Sequence, residues 1–234
     1  WQNAGTVALQ VYFSNLYSGD AYLQAVRESG LAQTYARLFG DPWLNVSPHI
    51  PGSLDQPALR LPFEDGKAWA FTGGPHTGWG EGAPLAALDF APGMETGGCA
   101  SSNEWATAMA PGIVTRSEPA TVTLDLDLDG DERTGWVIFY FHVATEGRVQ
   151  AGAVLQTGDP IGHPSCEGGY SDGTHTHVAR RYNGEWISAD TDLPFVLSGW
   201  ISAGDGEEYS GTLHKDGNAV YSWNGRVDDN QIGR

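Results

Sequence analysis

Two histidines one residue apart, in Gly173-Thr174-His175-Thr176-His177-Val178, are the most chemically suggestive feature of this 234-residue chain. In a β-strand, side chains at i and i+2 share a face, so both imidazoles would open on one space. There one ring can ligate a cation while the other gives or takes protons. The spacing alone is equally compatible with surface or core histidines that bind nothing. Three further residues stand out. Asp89 lies in Ala86-Ala87-Leu88-Asp89-Phe90-Ala91, an apolar run in which an unpaired carboxylate would be costly, so it calls for a salt bridge or a metal. His142 lies in Phe139-Tyr140-Phe141-His142-Val143 and likewise needs a polar partner. His76 follows Gly73-Gly74-Pro75, where a loop can present a side chain from a rigid scaffold. His49, His163 and His214 sit in Pro-rich, turn and polar surroundings and read as surface residues.

The elements that would position these groups are short strands. From residue 61 onward, apolar runs alternate with Gly-rich turns at 68–72, 85–91, 113–117, 121–128, 136–144, 174–182 and 185–188, the last after an Asn183-Gly184 turn. No strong helical pattern interrupts them, and Gly is about twice as frequent as usual, 32 of 234. The expectation is a mainly β, antiparallel domain over residues 61–197. Residues 1–60 read differently. Leu23, Val26, Leu31, Tyr35, Leu38 and Phe39 recur near helical spacing, and Pro42, Pro48, Pro51 and Pro57 then exclude regular structure. A small helical N-terminal segment with a Pro-rich linker is expected there, and a C-terminal extension of strands and loops over 198–234.

The net charge of −17 and pI near 4.5 disfavour nucleic acid or an anionic membrane surface as a partner. No apolar run approaches the roughly 18 residues of a membrane span. The chain begins at Trp1, which suggests a removed leader or pro-segment and a secreted protein; a monomer is expected. Cys99 and Cys166 are the only cysteines, so a Cys-based zinc site is excluded; bridged or free thiols are both compatible with the sequence.

In order along the chain, His76, Asp89, His142 and the His175-Thr176-His177 strand resemble the lysostaphin/LytM-type zinc endopeptidases, a family of peptidoglycan hydrolases. The His76–Asp89 separation, 89 − 76 = 13, is similar to that of its beta-lytic branch. Ala108-Met109-Ala110-Pro111-Gly112-Ile113-Val114 is similar to the family's Ala-Pro-x-Gly-x-Val strand, and Gly152 with Gly158-Asp159-Pro160-Ile161-Gly162 to its Gly-rich return. The likeness covers roughly residues 61–194. The family's usual His-Leu-His-Phe is His175-Thr176-His177-Val178 here, and residues 1–60 have no counterpart in its core. The resemblance implies an antiparallel β catalytic domain in which His76, Asp89 and His177 bind one catalytic Zn2+, with His142 and His175 as catalytic groups. It also implies a secreted enzyme that hydrolyses Gly-containing peptide cross-links of peptidoglycan. Three N/O ligands with an open position is the pattern of catalytic rather than structural zinc.

Competing readings are weaker. Two histidines and a carboxylate also serve non-haem iron oxygenases. Gly169-Tyr170-Ser171-Asp172-Gly173 matches the Gly-x-Ser-x-Gly pattern of serine hydrolases, but that motif needs a helix after its turn, and residues 175–182 read as a strand. Asp125-Leu126-Asp127-Leu128-Asp129-Gly130-Asp131-Glu132 imitates a calcium loop but has Trp136 where the twelfth-position Glu belongs. A non-catalytic wall-binding or regulatory domain would keep the fold, yet all five chemical positions are filled. Trp79, Trp105, Tyr140 and Tyr170 are candidate groove walls.

Overall fold

The computed structural model describes residues 50–93 and 98–233, together with Gly30, Gln33, Thr34, Arg37 and Leu38. The chain divides into two units, 1–52 and 53–234, and the second is described below. The helical segment expected within residues 20–39 lies outside the described residues apart from Gln33, Thr34, Arg37 and Leu38, which are helical.

Fifteen strands follow in order among the described residues. The first eight are β1 (Ala68–Thr77), β2 (Leu85–Ala91), β3 (Ala106–Thr107), β4 (Gly112–Glu118), β5 (Ala120–Asp125), β6 (Trp136–Val143), β7 (Val154–Leu155) and β8 (Pro160–Gly162). The rest are β9 (Thr176–Tyr182), β10 (Glu185–Trp186), β11 (Val196–Leu197), β12 (Trp200–Gly204), β13 (Gly211–Lys215), β14 (Asn218–Tyr221) and β15 (Gln231–Gly233). The main sheet runs β15-β1-β2-β9-β6-β5-β4-β7, with β10 paired to β9, and every pairing is antiparallel. A second sheet, β11-β12-β13-β14, comes from the C-terminal residues, and β3 pairs with β8. The structure is thus mainly antiparallel β, as its alternating apolar runs require. No helix among the described residues is long and apolar enough to cross a membrane.

Alternation sorts the side chains of the central strands. Leu88 and Phe90 of β2, Val178 of β9 and Ile138 and Tyr140 of β6 enter one large core with Leu61, Phe63, Trp69 and Phe71. Their odd-numbered neighbours point to the opposite face, where Ala87, Phe139 and Ala179 form a smaller cluster flanked by Phe141 and Trp186. Small residues at 87 and 179 leave this face shallow, so the polar groups beside them remain within reach of a ligand. Tyr140 is therefore no groove wall: it is fully buried, and its hydroxyl accepts the Met109 N–H at 2.9 Å. Trp105 stacks on His163 with ring centres 3.8 Å apart, and His163 is half-buried rather than free on the surface.

The C-terminal residues are built into this frame. β15 completes the main sheet beside β1, pairing Trp69 with Ile232, and the β12–β13 hairpin packs against β1. Arg180, fully buried on the core face of β9, donates to the carbonyl of Ser188 at 2.9 Å and also to Gln56 and Leu193, tying the flanking loops to the sheet.

Cys99 and Cys166 form a disulfide. It joins two loops 67 residues apart in sequence, a closure worth about 4 kcal/mol in the chain-entropy model. The double variant Cys99→Ser/Cys166→Ser is expected to unfold at lower denaturant concentration, with a loss of up to about 4 kcal/mol in chemical denaturation. An unchanged midpoint would show that the bridge constrains nothing in the unfolded chain.

Candidate metal centre

Cross-strand register aligns the candidate ligands. Gly73 of β1 faces Asp89 of β2, Asp89 faces His177 of β9, and His177 faces Phe141 of β6. Asp89 and His177 thus share the shallow face with no special device. His76 needs one. It lies three positions after Gly73, whereas their partners Ala87 and Asp89 are two apart, and this one-residue bulge turns His76 to the side of Asp89. Backbone groups freed by the bulge are taken by Tyr209, whose carbonyl accepts the Gly74 N–H at 2.8 Å and whose N–H donates to the Pro75 carbonyl at 3.1 Å.

A second bulge places His142. Phe141 pairs with Thr121 and Val143 with Ala120, so His142 is the extra residue between them. Its φ of 61° is left-handed, which is rare for a side chain of this size and turns the ring out of the core. The loop held by the disulfide receives it: the carbonyl of Glu167, next to Cys166, accepts the His142 Nδ1–H at 2.9 Å.

The sheet brings together all five residues singled out in the sequence. His76 Nε2, His177 Nδ1 and Asp89 Oδ1 form a triangle with sides of 2.9, 3.3 and 3.3 Å, and all three residues are buried. A tetrahedral zinc with bonds of about 2.0–2.1 Å has ligand–ligand edges of about 3.3 Å, so the triangle is of the right size. The tautomers also fit. His76 Nδ1 donates to the Gly74 carbonyl at 2.8 Å and His177 Nε2 to the Gly78 carbonyl at 3.0 Å, leaving both inward nitrogens as lone pairs. With both rings neutral, neither can give the other, or Asp89 Oδ1, a proton, and Asp89 Oδ1 is buried without a hydrogen-bond partner. Two lone pairs and a carboxylate oxygen converging on one point are satisfied by a cation.

The electrostatics mark the same point. Burial would push the His76 pKa down, but Asp89 outweighs it and the net direction is up. His177 is lowered, chiefly by burial. Against its own burial, Asp89 is held well below the usual carboxylate range by His76 and His175.

Beside the triangle, His175 Nδ1 donates to the Gly173 carbonyl at 2.8 Å, and its Nε2 lies 3.7 Å from Asp89 Oδ2. The His142 and His175 rings are 4.4 Å apart. Burial first, and His175 second, push the His142 pKa down to about 4. His142 is thus neutral at pH 7 and, with its Nδ1 donating to Glu167, carries a lone pair on Nε2. These residues line a cleft of about 300 Å³ with Thr72, Tyr170, Asp172 and Tyr209. Trp79 is half-exposed and packs on Phe141, 4.9 Å between ring centres.

Ser171 is no nucleophile: its hydroxyl donates to the Gly173 carbonyl at 2.7 Å, His175 Nδ1 donates to the same oxygen, and the segment that follows is β9 rather than a helix. The acidic run is a loop closed on its own amides, with Asp125 Oδ2 accepting the Gly130 N–H at 2.9 Å.

Tyr209 was not legible in the sequence. It stacks on His76 at 4.3 Å and 22° from the loop between β12 and β13, and no local signal in Glu207-Glu208-Tyr209-Ser210 announces the contact.

The fold and the buried His-Asp-His group together define a metallopeptidase-like architecture. The structure matches that of the M23 metalloprotease pseudoalterin, from the deep sea, with a TM-score of 0.61 and 24% identity over 78% of this chain and 100% of that one. The fold is therefore that of an M23 metallopeptidase. The catalytic domain of lysostaphin from Staphylococcus simulans (20% identity, 52% of this chain and 87% of that one, TM-score 0.34) overlays only in part. So does EnpA from Enterococcus faecalis (18%, 56% and 95%, TM-score 0.38), and overlays this partial add nothing to the assignment. No protein-family model and no curated protein matches the sequence.

Gly73 is the tightest constraint on the centre, because a Cβ there would lie 2.6 Å from Asp89 Oδ2. Gly73→Ala is expected to displace Asp89 and to lower zinc affinity at least about tenfold in a competition titration with a chromophoric chelator. Unchanged affinity would show that Asp89 is not held against β1.

Proposed function

We propose that the protein is a zinc metalloendopeptidase in which His76 Nε2, Asp89 and His177 Nδ1 hold the metal and His142 and His175 handle protons. The convergence of a buried, unpartnered carboxylate oxygen and two imidazole nitrogens on one point, at tetrahedral spacing, carries this reading. The fold supports it, since the solved structure that shares it is described as a metalloprotease.

When bound, zinc supplies a Lewis acid and lowers the pKa of the water it holds to about 7. The chain supplies the rest. Peptide hydrolysis needs a base for the attacking water and an acid for the leaving amine. His142 is neutral at pH 7 and offers a lone pair at Nε2, which makes it an acceptor. His175 directs its Nε2 toward Asp89 Oδ2, 3.7 Å away, and is the second imidazole at the site, left to serve the leaving amine. The Glu167 and Gly173 carbonyls fix both rings, so neither must reorient during the reaction. The rings of Phe139 and Phe141 meet His177 edge-on, 6.2 and 6.0 Å between centres, and back it against the sheet.

At about 300 Å³ the cleft is at the small end of ligand pockets, which favours residues with little or no side chain. We extend the proposal on that basis to Gly-containing peptides, among them the cross-links of bacterial peptidoglycan, and to a secreted enzyme that meets them outside the cell. The strongly acidic chain is not steered toward an anionic wall, so recognition rests on contacts in the cleft.

The test pairs metal content with turnover. Asp89→Ala is expected to lose stoichiometric zinc, whereas His142→Ala keeps it and loses about 10²–10⁴-fold in kcat, with thermal melts confirming that both variants fold. Pentaglycine and purified peptidoglycan, with and without a chelator, provide the substrates, and products are read by mass spectrometry. Equal zinc in Asp89→Ala and the parent protein sinks the ligand assignment. Chelator-resistant cleavage sinks the metallopeptidase reading.

A further inference from the structure

The cleft does not end at His175. A second hollow of about 270 Å³ adjoins it, and the two share Thr72, Asp172, His175 and Asn224 in their linings. The Asn224 side-chain amide donates to Asp172 Oδ2 at 2.9 Å, so a bridge between residues 52 positions apart spans the joint.

Charge varies along this path. Asp89 lies on the metal side, Asp172 at the joint in the linings of both hollows, and the guanidinium of Arg226 in the far hollow alone. Arg226 has no carboxylate within 4 Å among the described residues; its hydrogen bond is a long one, 3.4 Å, to the Ala68 carbonyl. In a chain of net charge −17, a cation left without an acid partner beside a cavity is available to an incoming anion.

We propose that the second hollow is a substrate subsite for a carboxylate. Arg226 pairs with that carboxylate. Asp172 repels an anion at the joint, which drives the carboxylate past it to Arg226 and sets the direction in which the peptide lies. The carboxylate has two possible sources, an acidic side chain or a free C-terminus. The proposal rests on the peptidase reading of the adjoining site, and binding can be measured apart from cleavage.

Three capped dipeptides discriminate: N-acetyl-Gly-Glu amide, N-acetyl-Gly-Gln amide and N-acetyl-Gly-Gln with a free C-terminus. Their binding to the zinc-loaded full chain is read by calorimetry. One acid, or both, is expected to bind about fivefold more tightly than the neutral amide, and which acid does so identifies the source. Arg226→Gln should abolish that advantage, and Arg226→Lys should restore part of it. Equal binding of all three ligands, an advantage that survives in Arg226→Gln, or no binding of either acid at millimolar concentration overturns the subsite. Failure of the peptidase reading shows separately, as pentaglycine that stays intact.

Discussion

Everything about this fold turns on one electrostatic demand. Asp89 Oδ1, His76 Nε2 and His177 Nδ1 lie about 3 Å apart in a buried pocket and, with both rings neutral, have no proton to share. Buried, unpaired carboxylates cost several kcal/mol, and two lone pairs beside one add to that cost. The arrangement is tolerable only around a positive charge, so the sheet that creates it is organised to receive one.

The means are mostly backbone. Regular pairing of β1, β2, β9 and β6 sets Asp89 and His177 opposite each other, but regular pairing cannot place five polar groups on one face. Bulges at His76 and His142 break the alternation where it must be broken. Backbone carbonyls then fix every ring: Gly74 holds His76, Gly78 holds His177, Glu167 holds His142 and Gly173 holds His175. Each accepts one N–H and leaves the other nitrogen free to act, which is how the protein chooses tautomers without spending side chains. The Cys99–Cys166 bridge and Tyr209 support this arrangement from outside, one holding the Glu167 loop and the other filling the β1 bulge.

The chemical residues were legible because they are out of place. A carboxylate in Ala86–Ala91 and a histidine in Phe139–Val143 contradict the apolar pattern around them, and contradiction is visible without a structure. The antiparallel fold was legible for the same local reason, since period-two runs and Gly turns define strands. What acts across long distances was not. Tyr209, Asn224 and Arg226 reach the cleft from the C-terminal residues, whose sequence gives turns and short runs but no hint of which strand they join. Tyr140 misled because an aromatic ring beside a candidate histidine suggests a wall; simple alternation puts it in the core, and it is His142, at the bulge, that departs from the rule.

The tautomers make the central claim unusually specific, for they say which nitrogen of each histidine meets the metal. Anomalous diffraction from crystals of the zinc-loaded protein, recorded at the zinc edge, tests it most directly. One peak is expected, bonded to His76 through Nε2, His177 through Nδ1 and Asp89 through a carboxylate oxygen. Zinc bound elsewhere, such as in the Asp125–Asp129 loop, or held through the opposite ring nitrogens, would contradict it.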